Sequence, residues 1–282
     1  MCIRDSYETA VKASRYAFPN GAQSVYLASG EVFPDALAAG PVAGKNRAPV
    51  LLTRDGALPE TVKTELKRLN PSSITLVGGT ARLQPGLESA LKSLLPKATI
   101  QRISGVNRYE TAAKLAATLG GITQVTIASG ENYPDALAAG GVSPAVLLTQ
   151  QGALPTSTAA ALPPGVKVTV AGGDKAVTPA VFAQIESIVG KGNVTRVGGK
   201  NRFDTATMLA KALRPNPQVA LVAVGNNFPD ALVGGAVAQN KNGVVVLSNT
   251  GCVPKTSSGY LSAIGTKIYL GGKTYTGTTT CQ

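Results

Sequence analysis

One twelve-residue block occurs three times, and it constrains the fold more than any other feature of the chain. Ser29-Gly30-Glu31-Val32-Phe33-Pro34-Asp35-Ala36-Leu37-Ala38-Ala39-Gly40 returns as Ser129 to Gly140 and, more loosely, as Val224 to Gly235. The prolines of successive copies lie 100 and then 95 residues apart. That period exceeds the roughly 20–50 residues of a solenoid unit, and it is long enough for each copy to bury a small core of its own. Other landmarks recur in the same order. Tyr7-Glu8-Thr9-Ala10 matches Tyr109-Glu110-Thr111-Ala112 and Phe203-Asp204-Thr205-Ala206, and Gly78-Gly79 matches Gly172-Gly173 and Gly271-Gly272. Triplication of a whole unit follows, with copies at about 7–104, 105–198 and 199–282. An enzyme normally needs one active site, whereas three tandem surfaces suit a binder that engages a repetitive ligand several times.

Within a copy, short apolar runs alternate with helical patterns. In the second copy, Tyr109 to Leu119 places Ala112, Leu115, Ala116 and Leu119 on one helical face. Val125–Ala128 reads as a strand, and Pro134 opens a helix with Asp135 at its positive end. Val146–Leu148 is a strand, Pro155–Leu162 a helix, Val166–Ala171 a strand, Thr178–Val189 a helix and Val194–Val197 a strand. Four strands per copy in strict alternation with helices predict a parallel sheet with right-handed crossovers and helices on both faces. The Gly-rich and acidic loops then fall at the carboxyl ends of the strands, where open parallel sheets place ligands.

Composition narrows the chemistry. Lys and Arg number 27 against 15 Asp and Glu, a formal charge of +12, and such a field favours polyanions. Nucleic acid is disfavoured because the basic residues are scattered and aromatics are 5%, with no Trp. No apolar run approaches the roughly 20 residues of a membrane span. The chain has no His, which removes the commonest general base and metal ligand, and nothing points to a cofactor. Cys252 and Cys281 are expected to form a disulfide that pins the C-terminal tail, in keeping with an oxidising, extracellular setting; two unpaired buried thiols remain the alternative. Copies two and three enter their first helix through Asn107-Arg108-Tyr109 and Asn201-Arg202-Phe203, copy one through Asp5-Ser6-Tyr7. Met1 to Ser6 also lacks the strand that precedes this helix elsewhere and shows no secretory pattern. Native sequence is therefore expected to begin near Tyr7, with a signal peptide originally upstream.

Taken together, Asn-Arg-Tyr-Glu-Thr-Ala at 107–112, Pro-Asp-Ala-Leu at 34–37, 134–137 and 229–232, Pro-Val-Leu-Leu at 49–52 and the Gly-Gly turns resemble the bacterial cell-wall-binding repeat family of type 2. The resemblance covers essentially the whole chain after Ser6. It implies Toprim-like α/β units packed around a pseudo-threefold axis, and noncovalent anchoring of a secreted protein of Gram-positive bacteria to an anionic wall polysaccharide. It implies too that a fused functional domain accompanies such anchors.

Several residues are candidates for the ligand edge. Asp35, Asp135 and Asp230 sit just inside a helix; stabilisation of the helix end is their simpler role. Arg108 and Arg202 carry planar guanidinium forks that match phosphate or carboxylate oxygens, with a salt bridge to Asp135 or Asp230 as the alternative. Lys175, Lys200 and Lys273 lie near the Gly-Gly turns, where they line the same edge or are plain solvated lysines. The Gly-Gly pairs themselves follow no phosphate-loop pattern and suit tight turns. An enzymatic alternative uses the Asp35-type carboxylates, with Mg²⁺, as a hydrolase or phosphotransferase. The absence of His and the replacement of Glu31 and Glu131 by Asn226 in the third copy argue against it.

Overall fold

The computed structural model describes residues 3–33, 35–226, 228–271 and 280–281, with side chains from Ser6 onward. The first unit contains α1 (Ile3–Ala17), β1 (Ser24–Ser29), α2 (Ala39–Lys45, preceded by a 3-10 turn at Ala36–Ala38), β2 (Val50–Thr53), α3 (Glu60–Leu69), β3 (Ser73–Val77), α4 (Gly86–Leu94) and β4 (Thr99–Ile103). The second repeats it as α5 (Arg108–Ala117), β5 (Gln124–Ser129), α6 (Pro134–Gly140), β6 (Val146–Thr149), α7 (Thr156–Ala160), β7 (Lys167–Ala171), α8 (Pro179–Val189) and β8 (Val194–Val197). The third has α9 (Arg202–Leu213), β9 (Val219–Val224), α10 (Pro229–Asn240), β10 (Gly243–Ser248), α11 (Lys255–Ser262) and β11 (Thr266–Leu270). The elements of the second unit agree with the sequence reading to within about two residues. The first helix, expected to be entered through Asp5-Ser6-Tyr7, runs from Ile3.

Each unit is one parallel sheet. The strand orders are β2-β1-β3-β4, β6-β5-β7-β8 and β10-β9-β11. The third sheet has three strands among the described residues, against the four expected for every copy. The strands are almost wholly buried, as strands covered on both faces must be, except β4, β8 and β11, the last described strand of each sheet, which are largely half-buried or exposed. In this order β1→β2 and β1→β3 diverge, so the loops after β1 and β3 flank the point where the connection reverses; the other two sheets repeat this geometry.

The recurring block proves to be the element that joins the units. Its aromatic residues, Phe33, Tyr133 and Phe228, meet pairwise with ring centroids 5.3, 5.7 and 6.0 Å apart and interplanar angles of 60–62°. Near-equal spacings and angles are what three copies about a common axis produce. At the far end of the block, Gly40, Gly140 and Gly235 bring helix backbones together. A Cβ on Gly235 would lie 3.3 Å from the Gly140 carbonyl and 3.6 Å from the Gly40 Cα. Buried Leu37, Ala138, Val142, Leu232 and Val237 make this interface continuous with the main core, while the outer part of unit 2 has a separate core around Ile127, Leu147, Val170 and Ile185. The polar side chain of Gln239 on α10 reaches across to the Ser143 carbonyl. Cys252 and Cys281 form a disulfide with a Cα–Cα distance of 5.1 Å, and the Cys281 amide donates to the Val253 carbonyl at 2.9 Å, so the tail is pinned to unit 3 as the spacing suggested.

Candidate functional site

The first glycine of every Gly-Gly turn adopts positive φ: +120° at Gly78, +105° at Gly172 and +102° at Gly271. This ends the strand sharply and clears room for the acid of the repeated block. A Cβ would fall 3.2 Å from Asp35 Oδ2 at Gly78 and 2.6 Å from Asp135 Oδ2 at Gly172. The motif aspartate of each of these units therefore sits against its own Gly-Gly turn, across the switch point of its own sheet. Behind the turn, an arginine of the fourth strand steadies it. Arg102 donates to the Gly78 carbonyl at 2.8 Å and Arg196 to the Gly172 carbonyl at 3.0 Å.

The chain then leaves the fourth strand and enters the first helix of the next unit. Asn107 caps α5, its Oδ1 accepting from the amides of Tyr109 and Glu110 at 3.0 Å each. Asn201 caps α9 the same way, accepting from Phe203 and Asp204. These first-turn amides are consequently already satisfied. The arginine that follows each cap is tied by a hydrogen bond to its own unit and reaches the preceding unit with its charge or its guanidinium face. Arg202 donates to the Gly225 carbonyl at 2.8 Å and exerts its charge on Asp135. Arg108 donates to the Gly130 carbonyl, and its guanidinium carbon lies 5.8 Å from the centre of the Phe33 ring of unit 1.

Two equivalent grooves result, one at each seam between consecutive units. The groove between units 1 and 2, about 440 Å³, brings Asp35, Thr80 and Arg82 of one unit to Asn107 and Arg108 of the next. The groove between units 2 and 3, about 710 Å³, brings Glu131, Asp135, Asp174 and Lys175 to Lys200 and Arg202. Of the residues singled out in the sequence, Asp35 and Arg108 thus share one groove, and Asp135, Lys175, Lys200 and Arg202 share the other. Asp230 lies at the equivalent start of α10. Lys273, which belongs to the third turn, lies outside the described residues. Among the described residues, no three His, Cys, Asp or Glu side chains converge as metal ligands would. No described helix is long and apolar enough to cross a membrane.

Charges in these grooves are mixed rather than uniformly basic. Burial pushes the Asp135 carboxyl up to about 6, and Arg202 opposes that rise. Glu131 accepts from the Gln151 amide at 3.1 Å, and Asp174 pairs with Arg196 at 3.4 Å. Sequence reasoning missed Arg82 and Asp174, which differ from their counterparts in the neighbouring unit and carry no repeat signal. It missed the axial aromatic trio as well, although an aromatic before Pro-Asp in every copy was a readable sign of it.

A model of the family described as Cell wall binding domain 2 (CWB2) matches residues 4–88, 102–182 and 196–277. The chain is 29% identical over 267 residues to N-acetylmuramoyl-L-alanine amidase LytC of Bacillus subtilis (strain 168), covering 93% of this chain and 51% of that protein. It is also 29% identical over 267 residues to the Amidase enhancer of the same organism, covering 93% of this chain and 36% of that one. Among solved structures, Cwp6 from Clostridium difficile is similar with a TM-score of 0.88 at 26% identity, over 96% of this chain and 45% of its own. Cwp8 from Clostridium difficile shares the fold with a TM-score of 0.85 at 24% identity, over 96% and 48%. The chain spans about half the length of these relatives, or less.

Proposed function

Since the chain belongs to the Cell wall binding domain 2 family, a family of binding rather than catalytic domains, we propose that it anchors a secreted bacterial protein to the wall by gripping an anionic wall polysaccharide. The units at 7–104, 105–198 and 199–282 act as linked weak binders. The observation that carries this reading is the pair of matching seam grooves, each setting a guanidinium of one unit beside the Gly-Gly turn of the unit before it. Arg108 and Arg202 supply planar donors for phosphate or carboxylate oxygens. Lys175 extends the same rim, while Asp35, Asp135 and Asp230 set the local charge and take hydroxyl groups of the glycan.

Linkage multiplies feeble contacts, because binding at one groove raises the effective concentration of polymer at the next. The net charge of +12 draws the chain to an anionic wall. The Cys252–Cys281 disulfide suits an extracellular location, and the longer relatives leave room for a cargo domain beside the anchor.

The deciding experiment is a pull-down with purified walls before and after hydrofluoric acid extraction of their anionic glycopolymer, across a salt series. Binding should fall steeply with salt and vanish after extraction. Equal capture by extracted and intact walls would refute the polyanion assignment.

A further inference from the structure

The two seam grooves match position for position, yet their charges differ. Where the groove between units 1 and 2 has Thr80, Ala81, Arg82 and Val106, the groove between units 2 and 3 has Asp174, Lys175, Ala176 and Lys200. Among its lining residues the first therefore has two guanidinium groups, Arg82 and Arg108, and the carboxylate of Asp35, with the Asp55 carboxylate 3.9 Å from Arg82. The second sets Lys175, Lys200 and Arg202 against Glu131, Asp135 and Asp174.

The guanidinium groups of the first groove are available. Arg82 is 56% exposed, and the Asp55 carboxylate paired with it is 3.9 Å away and already accepts from the Ser29 hydroxyl at 2.8 Å. Arg108 gives a donor to the Gly130 carbonyl and keeps the rest of its five-donor fork.

In the second groove the Asp135 carboxylate is held half-buried against the Gly172 turn. The charged groups around it come from four directions. Glu131 lies on its own loop, Asp174 and Lys175 on the loop after β7, and Lys200 and Arg202 on the entry to α9. Arg196 of β8 stands behind, tied to the Gly172 carbonyl and to Asp174. An oxyanion that enters must displace Asp135 from the field of Arg202 and tolerate three carboxylates nearby.

We infer that the seams are two different oxyanion sites. The seam between units 1 and 2 holds a phosphodiester or carboxylate on Arg82 and Arg108 at neutral pH, and the seam between units 2 and 3 becomes a comparable site only once Asp135 takes up a proton. This rests on the anchoring reading and adds to it the identity of the stronger groove, a recognition residue in Arg82, and acid-enhanced attachment. Burial pushes the Asp135 carboxyl up to about 6, so the change falls between pH 7.5 and pH 5.5. By linkage, a bound anion would raise the proton affinity of Asp135 in turn.

The test uses the full chain with two soluble probes, polyglycerol phosphate and polygalacturonate, which separate phosphodiester from carboxylate recognition. Affinity is measured by calorimetry at pH 7.5 and pH 5.5. For the preferred probe, wild type should bind about fivefold tighter at pH 5.5, the effect of removing one like charge across a partly screened groove. Asp135→Asn should bind at pH 7.5 as tightly as wild type does at pH 5.5 and lose its response to acid. Arg202→Gln should lose the acid gain. Arg82→Gln should weaken binding about tenfold at both pH values, as expected for a charge-assisted contact. Wild-type affinity in Arg82→Gln, or an acid gain that persists in both Asp135→Asn and Arg202→Gln, overturns the inference while leaving wall capture by the wild type intact. Failure of the anchoring reading would show separately, as absence of salt-dependent wall capture by the wild type at neutral pH.

Discussion

Replacing Asp135 with Asn should stabilise the protein at neutral pH and remove part of its pH dependence. The unfolded chain releases this proton near the ordinary value of 3.8, whereas the folded chain holds it to about 6 because the carboxyl is desolvated at the seam. A folded-state pKa raised above the unfolded one contributes its full stability below pH 3.8, and that stability is lost as pH rises through 6. The span corresponds to about 3 kcal/mol at about 1.4 kcal/mol per pH unit; partial solvent access to the half-buried group trims this to about 2–3 kcal/mol. Asparagine keeps the shape and removes the charge, and Arg202 retains its bond to the Gly225 carbonyl. Urea unfolding followed by far-ultraviolet circular dichroism at pH 4 and pH 7.5 measures the effect. Other carboxylates titrate in both proteins, so they cancel in the difference between variant and wild type. The variant should match wild type at pH 4 and exceed it by about 2–3 kcal/mol at pH 7.5. An equal fall in stability between the two pH values in both proteins would refute the reasoning.

Three further outcomes follow from the packing. Reducing the Cys252–Cys281 bond, which closes a loop of 29 residues, should destabilise unit 3 by about 3–4 kcal/mol, seen as a lower thermal midpoint in dithiothreitol; an unchanged midpoint would mean the bond does not constrain the tail. Gly44→Ala places a methyl 2.3 Å from Gln239 Cβ and 3.0 Å from the Ala236 carbonyl oxygen. It should therefore cost about 1–3 kcal/mol by overpacking the contact between α2 and α10, read as a shift in the urea midpoint. Asn201→Ala removes the acceptor for the Phe203 and Asp204 amides and should cost about 1 kcal/mol, with a loss of similar size expected from Asn107→Ala in the same assay.

Local rules made the units legible. Proline at the first helical position with a carboxylate beside it, Asn at the cap, and glycine where φ must be positive act over a few residues, so α6, α9 and the turns at Gly78 and Gly172 were readable from neighbours in the chain. The period gave the number of units, and the bare apolar strands pointed to inner strands buried on both faces, while β4, β8 and β11 are partly exposed. The Cys252–Cys281 bond was readable too, since both cysteines fall in one copy. The role of the recurring block was not. In the sequence it looks like a ligand surface presented three times. In the folded chain its Phe33, Tyr133 and Phe228 rings and its Gly40, Gly140 and Gly235 backbones pack the three units against one another.

The candidate site lies at the seams, and a seam depends on residues that are far apart in the chain and carry no mark of their partnership. Asp135 and Arg202 are 67 positions apart, and only the turn of one unit against the helix entry of the next brings them into one groove. The balance of charge there is likewise a tertiary property. A net charge of +12 says that the molecule as a whole favours polyanions, but Coulomb energies fall with distance and are screened within about 10 Å at 0.1 M salt, so the side chains that share a groove decide its preference. Sequence alone determined that three α/β units would form. Only the packing between them decided that one seam carries Arg82 and Arg108 in one groove while the other holds a half-buried carboxylate within the field of Arg202.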